Sequence, residues 1–95
     1  MKKIKFTEMT KREQLLEETK QIVCKDRNKE YGEPEDTFAI IAKMWGAYLQ
    51  EDINEIDVCN MMSLLKIARC QGGYKKDNFV DIAGYAACAA EFLEE

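Results

Sequence analysis

The chain has 95 residues, of which 34% are charged and 46% hydrophobic, and its formal net charge is -4. This is the composition of one ordinary globular domain, and its acidic balance argues against general binding to nucleic acid or to a membrane surface. The four cysteines form no Cys-x-x-Cys pair and the chain has no histidine, so we expect reduced, buried thiols and no zinc, haem or flavin.

Two helices are predicted in the first half of the chain. The first runs from about Thr7 to Glu30, and Thr10 followed by Glu13 is a capping-box pattern that marks its regular start. The sequence Tyr-Gly-Glu-Pro over residues 31–34 ends this helix and starts the next. Glycine can adopt a left-handed conformation at a helix end, and proline suits the first helical position. The second helix continues to about Leu49.

Two further helices are predicted in the second half. The third begins at Asn54, which forms a weak capping-box pattern with Asp57, and it ends at the glycine pair 72–73. The fourth begins at Asp77 or Asn78 and continues to the C-terminus. The stretch "IAGYAACAA", residues 82–90, carries no charge and is apolar on every side, which predicts a helix buried on every side. We therefore predict an all-α, four-helix bundle-like single domain over residues 1–95 that forms a homo-oligomer through the fourth helix.

Charged residues continue the apolar lines of several helices. Asp26 with Glu30, and Asp77 with Asp81, are i,i+4 pairs that place two carboxylates on one helix face. Magnesium, which prefers oxygen ligands, would offset their repulsion.

The basic residues of the third helix offer a second way to offset the acids. Lys66 and Arg69 would do so, and they would also suit a phosphate group. Three structural alternatives stay open. Asp81 can cap a helix with Asn78, the basic pair can neutralise acids on neighbouring helices, and tyrosines 31 and 85 can either stack on a base or belong to the core.

Three segments carry a family resemblance. They are "RNKEYGEPEDTFAIIAKMWGAYL", "DVCNMMSLLKIAR" and "DNFVDIAGYAACAAEF". Together they resemble a family of small, uncharacterised phage-encoded proteins over residues 27–92. This family is in turn similar, more distantly, to MazG-type all-α nucleotide pyrophosphohydrolases and to a phage nucleotide-modification-associated domain.

The resemblance implies a helical, homo-oligomeric, nucleotide-binding protein with magnesium as its cofactor. It places metal ligands at Glu30, Asp77 and Asp81. It places nucleotide contacts at five residues: Arg27, Tyr31, Lys66, Arg69 and Tyr85. The MazG-type Glu-Glu-x-x-Glu motif is incomplete here, because the pair Glu17-Glu18 is followed by Gln21. For that reason we expect nucleotide binding ahead of hydrolysis.

Three functions stay open at this point. The first is a phage or prophage protein of the host-cell cytoplasm that sequesters a nucleotide immune signal, linear or cyclic, or acts in nucleotide metabolism. The second is a magnesium-dependent nucleoside triphosphate pyrophosphohydrolase. The third is an anti-defence module that binds a host protein without a nucleotide.

Overall fold

The computed structural model describes residue 5 and residues 8–26 and 32–94, and of Asp26 only the backbone. Over these residues the chain forms four α-helices and no strand, which confirms the all-α prediction. The helices are α1 (Lys11–Gln21), α2 (Pro34–Leu49), α3 (Glu55–Arg69) and α4 (Lys76–Ala90). A π-helical segment, Ile22–Asp26, extends α1, and a 3-10 turn, Cys70–Gly72, follows α3.

Capping boxes start α1 and α3 as predicted. The Glu13 N–H donates to Thr10 Oγ1 at 3.1 Å, and the Thr10 N–H donates to Glu13 Oε1 at 3.0 Å. The bond from the Thr10 backbone N–H favours the ionised Glu13 carboxylate and lowers its pKa. Asn54 and Asp57 exchange the same two bonds at 2.8 and 3.0 Å. Each box satisfies amide groups that have no partner inside the helix.

The starts of α2 and α4 differ in how well the sequence predicted them. Pro34 is the first residue of α2, and Gly32 has a φ of 80°, so the predicted left-handed glycine is confirmed. Helix α4 begins at Lys76 after Lys75 as its N-cap, one residue before the predicted start. Asn78 therefore lies inside the helix. The alternative in which Asn78 and Asp81 together cap the start of this helix was wrong.

Helix α4 lies at the centre of the packing. It packs most extensively against α3 and also against α1, while α2 packs against α3. An exposed ion pair between Lys76 Nζ and Glu18 Oε1, 2.7 Å long, also joins α4 to α1. The buried side chains are few, and most lie on α3 and α4. They are Thr19, Ala42, Val58, Cys59, Val80 and Cys88.

Many apolar side chains remain exposed within one chain. On α1 the buried residue is Thr19, whereas Leu16 is 63% exposed. On α4 the alanines Ala86 and Ala90 are exposed, so a single chain does not bury this helix on every side. The homo-oligomer stays a prediction. None of the described helices is both long and apolar enough to span a membrane.

The thiols divide into a buried class and a class that solvent reaches, Cys24 and the half-buried Cys70, which corrects the prediction that all of them are buried. Cys59 and Cys88 are buried in the α3–α4 contact, whereas Cys24 is exposed. Burial, and to a lesser extent the neighbouring Cys88, raise the pKa of the Cys59 thiol to about 11. Because the thiolate is the reactive form, the two classes should react with alkylating reagents at very different rates.

Iodoacetamide at pH 8 should label Cys24 at least ~100-fold faster than Cys59. The exposed Cys24 is open to the reagent, whereas the raised pKa of Cys59 keeps its thiolate fraction very low at this pH. At pH 8 the Cys59 side chain is a thiolate in roughly one molecule in a thousand. Its burial also slows access of the reagent. Peptide mass spectrometry over a time course measures both rates. In urea the two should react alike, and equal rates in the native protein would contradict the prediction.

Candidate functional site

A cleft of about 240 Å³ opens where three parts of the chain meet. Its walls come from the π-helical end of α1, the start of α2 and the middle of α4. The lining residues are Ile22, Val23, Gly32, Pro34, Thr37, Phe38, Val80, Asp81, Gly84, Tyr85 and Cys88. The lining is mostly apolar with a few polar groups, which is the usual make-up of a small-molecule site.

The α4 wall is built from residues one helical turn apart. Val80, Gly84 and Cys88 are buried, while Asp81 and Tyr85 are half-buried and line the cleft beside them. Gly84 lets the end of α1 approach closely, because a Cβ atom at this position would lie 2.8 Å from Val23 Cγ2. A larger residue at position 84 would push the two walls apart.

Aromatic rings join the start of α2 to α4. The Phe38 ring lies with its centroid 6.3 Å from that of Tyr85 and 6.4 Å from that of Phe92. These separations are within the range of favourable aromatic pairs. Since Phe38 and Tyr85 also line the cleft, the site has two flat apolar ring surfaces held in place by each other.

The polar wall of the cleft is Asp81, which α3 supports from behind. Lys66 Nζ on α3 lies 3.0 Å from Asp81 Oδ2 on α4, and their side chains are only 14% and 19% exposed. The predicted alternative that Lys66 neutralises an acid on a neighbouring helix is thus confirmed. Because a carboxylate has about four lone-pair sites, Asp81 can accept from Lys66 and from further donors.

The structure brings together some of the predicted site residues. Asp81 and Tyr85 line the cleft, and Lys66 is one contact away from it. Asp77, one turn before Asp81, and Arg69, at the end of α3, are exposed and do not line it.

Three predicted site residues, Arg27, Glu30 and Tyr31, lie outside the described residues. Within the described ranges, no three histidine, cysteine, aspartate or glutamate side chains cluster as metal ligands would. The predicted magnesium site, which includes Glu30, therefore stays a prediction.

Sequence reasoning missed several lining residues. Val80 and Thr37 belong to none of the predicted sites, and Cys88 was predicted only as a buried thiol. Thr37 directly precedes Phe38 in the first of the three quoted segments. The sequence signal that could have identified Thr37 is its position in the first turn of α2, next to the connection between α1 and α2 where the cleft opens.

Similar proteins occur in phages, which confirms that part of the predicted resemblance. The family model of a domain of unknown function (DUF6378) matches residues 14–93. The Gene 55 protein of Mycobacterium phage D29 is 46% identical over 84 residues, covering 87% of this chain and 56% of the relative. The Gene 55 protein of Mycobacterium phage L5 is 42% identical over 74 residues, with 76% and 47% covered. The chain spans about half the length of these relatives, and no solved structure matches it.

Proposed function

The chain belongs to the family of the domain of unknown function DUF6378, and we propose that its cleft binds a nucleotide. The observation that carries this proposal is the convergence of Tyr85, Phe38 and Asp81 on one cleft of about 240 Å³. Ring surfaces suit the flat face of a base, and base–aromatic stacking tolerates every base. The carboxylate suits the N–H groups on the edge of a base.

The size of the cleft limits how much of the ligand enters it. Sites that enclose a drug-sized molecule have volumes of roughly 300–1,000 Å³, and this cleft is somewhat smaller. We propose that the base and part of the sugar enter, while the phosphates stay outside. Arg69 is exposed at the end of α3, so it would supply positive charge for phosphates, while Lys66 holds the Asp81 carboxylate in place.

Arg27 and Tyr31 enter the proposal on sequence grounds alone. They lie outside the described residues, but their neighbours in sequence, Val23 and Gly32, line the cleft. The MazG-like relationship, a magnesium ion held by Glu30 with the two α4 aspartates, and a homo-oligomeric assembly belong to the same proposal. The biological role would be sequestration of a nucleotide signal or a step of nucleotide metabolism in a phage-infected cell.

The test is one incubation with a nucleotide panel. The purified protein is mixed with magnesium, nucleoside triphosphates and cyclic oligonucleotides, freed of unbound ligand and heat-denatured. Mass spectrometry then identifies the small molecules in both fractions. We expect one class of nucleotide to be released unchanged. A monophosphate together with pyrophosphate would instead show hydrolysis, and no retained nucleotide would leave the anti-defence module as the better reading.

Two matched arginine variants test where the phosphates bind. Arg69→Ala should weaken binding of the retained nucleotide at least ~10-fold, because a charge-assisted contact to phosphate contributes about 1.5–3 kcal/mol. Arg12→Ala removes another exposed arginine, from the far end of α1, and should leave the affinity unchanged. Calorimetric titration gives both affinities, and equal values for the two variants would place the phosphates elsewhere.

A further inference from the structure

The cleft presents a carboxylate to any base that enters it. Among the lining residues that the structure describes, Asp81 is the one with a charged side chain, and the others are apolar or carry a hydroxyl or thiol group. A carboxylate only accepts hydrogen bonds, at about four lone-pair sites on its two oxygens. The polar wall therefore favours a ligand edge of N–H groups and disfavours an edge of carbonyl oxygens or unprotonated ring nitrogens.

The ion pair with Lys66 holds this carboxylate in one orientation. Lys66 Nζ on α3 lies 3.0 Å from Asp81 Oδ2, and both side chains are largely buried. A group that is already ordered before the ligand arrives loses less side-chain entropy on binding. Lys66 is therefore a positioning residue, and Asp81 is the group that would touch the base.

The ring of Tyr85 determines where the base would lie. The centroids of Phe38 and Tyr85 are 6.3 Å apart and the rings are tilted by 34°, whereas a base between two rings needs roughly 7 Å, twice the ordinary contact distance. The base would therefore stack on an open ring face and not between the two rings. Asp81 and Tyr85 are four residues apart on α4, so their Cβ atoms lie about 5–6 Å apart on one helix face. A base stacked on Tyr85 thus has an edge within reach of the Asp81 carboxylate.

The common bases differ in how many adjacent N–H groups their pairing edge carries. Guanine has two neighbouring donors, the N1–H and the N2 amino group, which match the two oxygens of one carboxylate. Adenine and cytosine place an amino group beside an unprotonated ring nitrogen, which would face the carboxylate. Uracil and thymine place one N–H between two carbonyl oxygens. A partly buried polar group rejects a ligand that leaves it without hydrogen bonds, so this wall discriminates among the bases.

We propose that the cleft is specific for guanine, with Asp81 accepting hydrogen bonds from the N1–H and the N2 amino group of the base. This inference rests on the proposed nucleotide site and names the class of nucleotide that the site selects. It does not depend on the number of phosphates or on a cyclic or linear ligand, because the phosphates stay outside the cleft.

Four nucleotides that differ only in the base test the specificity. Equilibrium dialysis of the wild type with magnesium and GTP, ITP, XTP or ATP gives the four affinities. The base of ITP lacks the N2 amino group, so ITP should bind at least ~10-fold more weakly than GTP, through the loss of one hydrogen bond to a charged acceptor. The base of XTP carries an oxygen in place of that amino group, so XTP should bind at least ~100-fold more weakly.

The pattern of affinities separates a failure of this inference from a failure of the nucleotide site. If ATP or ITP binds as tightly as GTP, then guanine specificity is overturned while the nucleotide site stands. If none of the four binds, then both are overturned. Because these measurements use the wild type, they decide the question even if a variant of Asp81 does not fold.

The amide variant of Asp81 tests the residue itself. Asp81→Asn keeps the shape of the side chain but gives it one donor and one acceptor group, which match the C2 carbonyl oxygen and the N1–H of xanthine. We expect GTP to lose at least ~10-fold in affinity and XTP to bind more tightly than GTP. A merely structural role of Asp81 would weaken all nucleotides alike. A preference for GTP that persists in Asp81→Asn would overturn the role of Asp81.

Glu18→Gln is the matched control for the amide variant. Glu18 also pairs with a lysine of another helix, since its Oε1 lies 2.7 Å from Lys76 Nζ, and it does not line the cleft. This variant should keep the wild-type order of the four nucleotides. If it shifts the preference toward XTP as Asp81→Asn does, then the change of specificity does not arise from contact with the base, and the proposal is overturned.

Discussion

Replacing Asp81 by alanine is expected to lower the free energy of unfolding by about 2–3 kcal/mol. The substitution leaves Lys66, whose side chain is only 14% exposed, without the carboxylate that lies 3.0 Å from its ammonium group. A charge left partly desolvated without its counter-ion costs more than the pair itself contributes. The expected loss is below the ~3–5 kcal/mol of fully buried pairs because both side chains keep some contact with water.

The exposed pair between Lys76 and Glu18 provides the control. Its side chains are 55% and 32% exposed, and Glu18→Ala should therefore cost no more than about 1 kcal/mol. The double substitution Lys66→Met with Asp81→Leu should recover most of the stability lost in Asp81→Ala, since apolar residues of similar size can replace a buried pair. Urea denaturation monitored by circular dichroism measures all three. Equal losses for Asp81→Ala and Glu18→Ala would contradict this account.

The local elements of the fold were predictable because their causes are local. A capping box needs two residues three apart, and both boxes, at Thr10 and Asn54, start their helices as predicted. Pro34 likewise starts α2. The π-helical segment that extends α1 has no such sequence signal. It lies where Val23 meets Gly84 at close range, a contact between residues far apart in the chain.

The cleft was predictable only in part, because it depends on contacts between residues far apart in the chain. The pattern of charges on apolar lines drew attention to Asp81 and Tyr85, which line the cleft, and to Lys66, which contacts Asp81. Local spacing allowed Asp81 to pair with Asn78 as readily as with Lys66, and only the packing of α4 on α3 decides between them. The volume of the cleft depends on how three segments meet, which no local pattern describes.

The apolar lines of α4 show how tertiary packing chooses between two sequence alternatives. One line runs through Phe79, Ala86 and Leu93, and the other through Asp81, Tyr85, Cys88 and Phe92. The charged line faces the protein, with Cys88 buried, whereas Phe79 is 41% and Leu93 55% exposed. Lys66 makes this possible because it offsets the charge of Asp81. Hydrophobicity alone would have chosen the other face.

Replacing Gly46 by alanine is expected to destabilise the protein by about 3 kcal/mol, the upper range for inserting an atom into a close contact. A Cβ atom at this position would lie 2.9 Å from the backbone oxygen of Glu51. The chain turns back over Gly46 at the end of α2, where Gln50 has a φ of 56° and the Glu51 N–H donates to the Gly46 carbonyl at 3.1 Å. The atom in the way is backbone, so a side-chain rotation cannot relieve the clash.

Gly72→Ala is the matched substitution, because a Cβ atom there has nothing within 4 Å. It should leave the stability unchanged or raise it by up to about 1 kcal/mol, through a smaller loss of chain entropy on folding. In thermal unfolding, Gly46→Ala should lower the midpoint by roughly 15 °C for a domain of this size. If both variants melt within a few degrees of the wild type, then the α2–α3 connection yields to the added methyl group. The close return of the chain over Gly46 would then not be what fixes the α2–α3 hairpin.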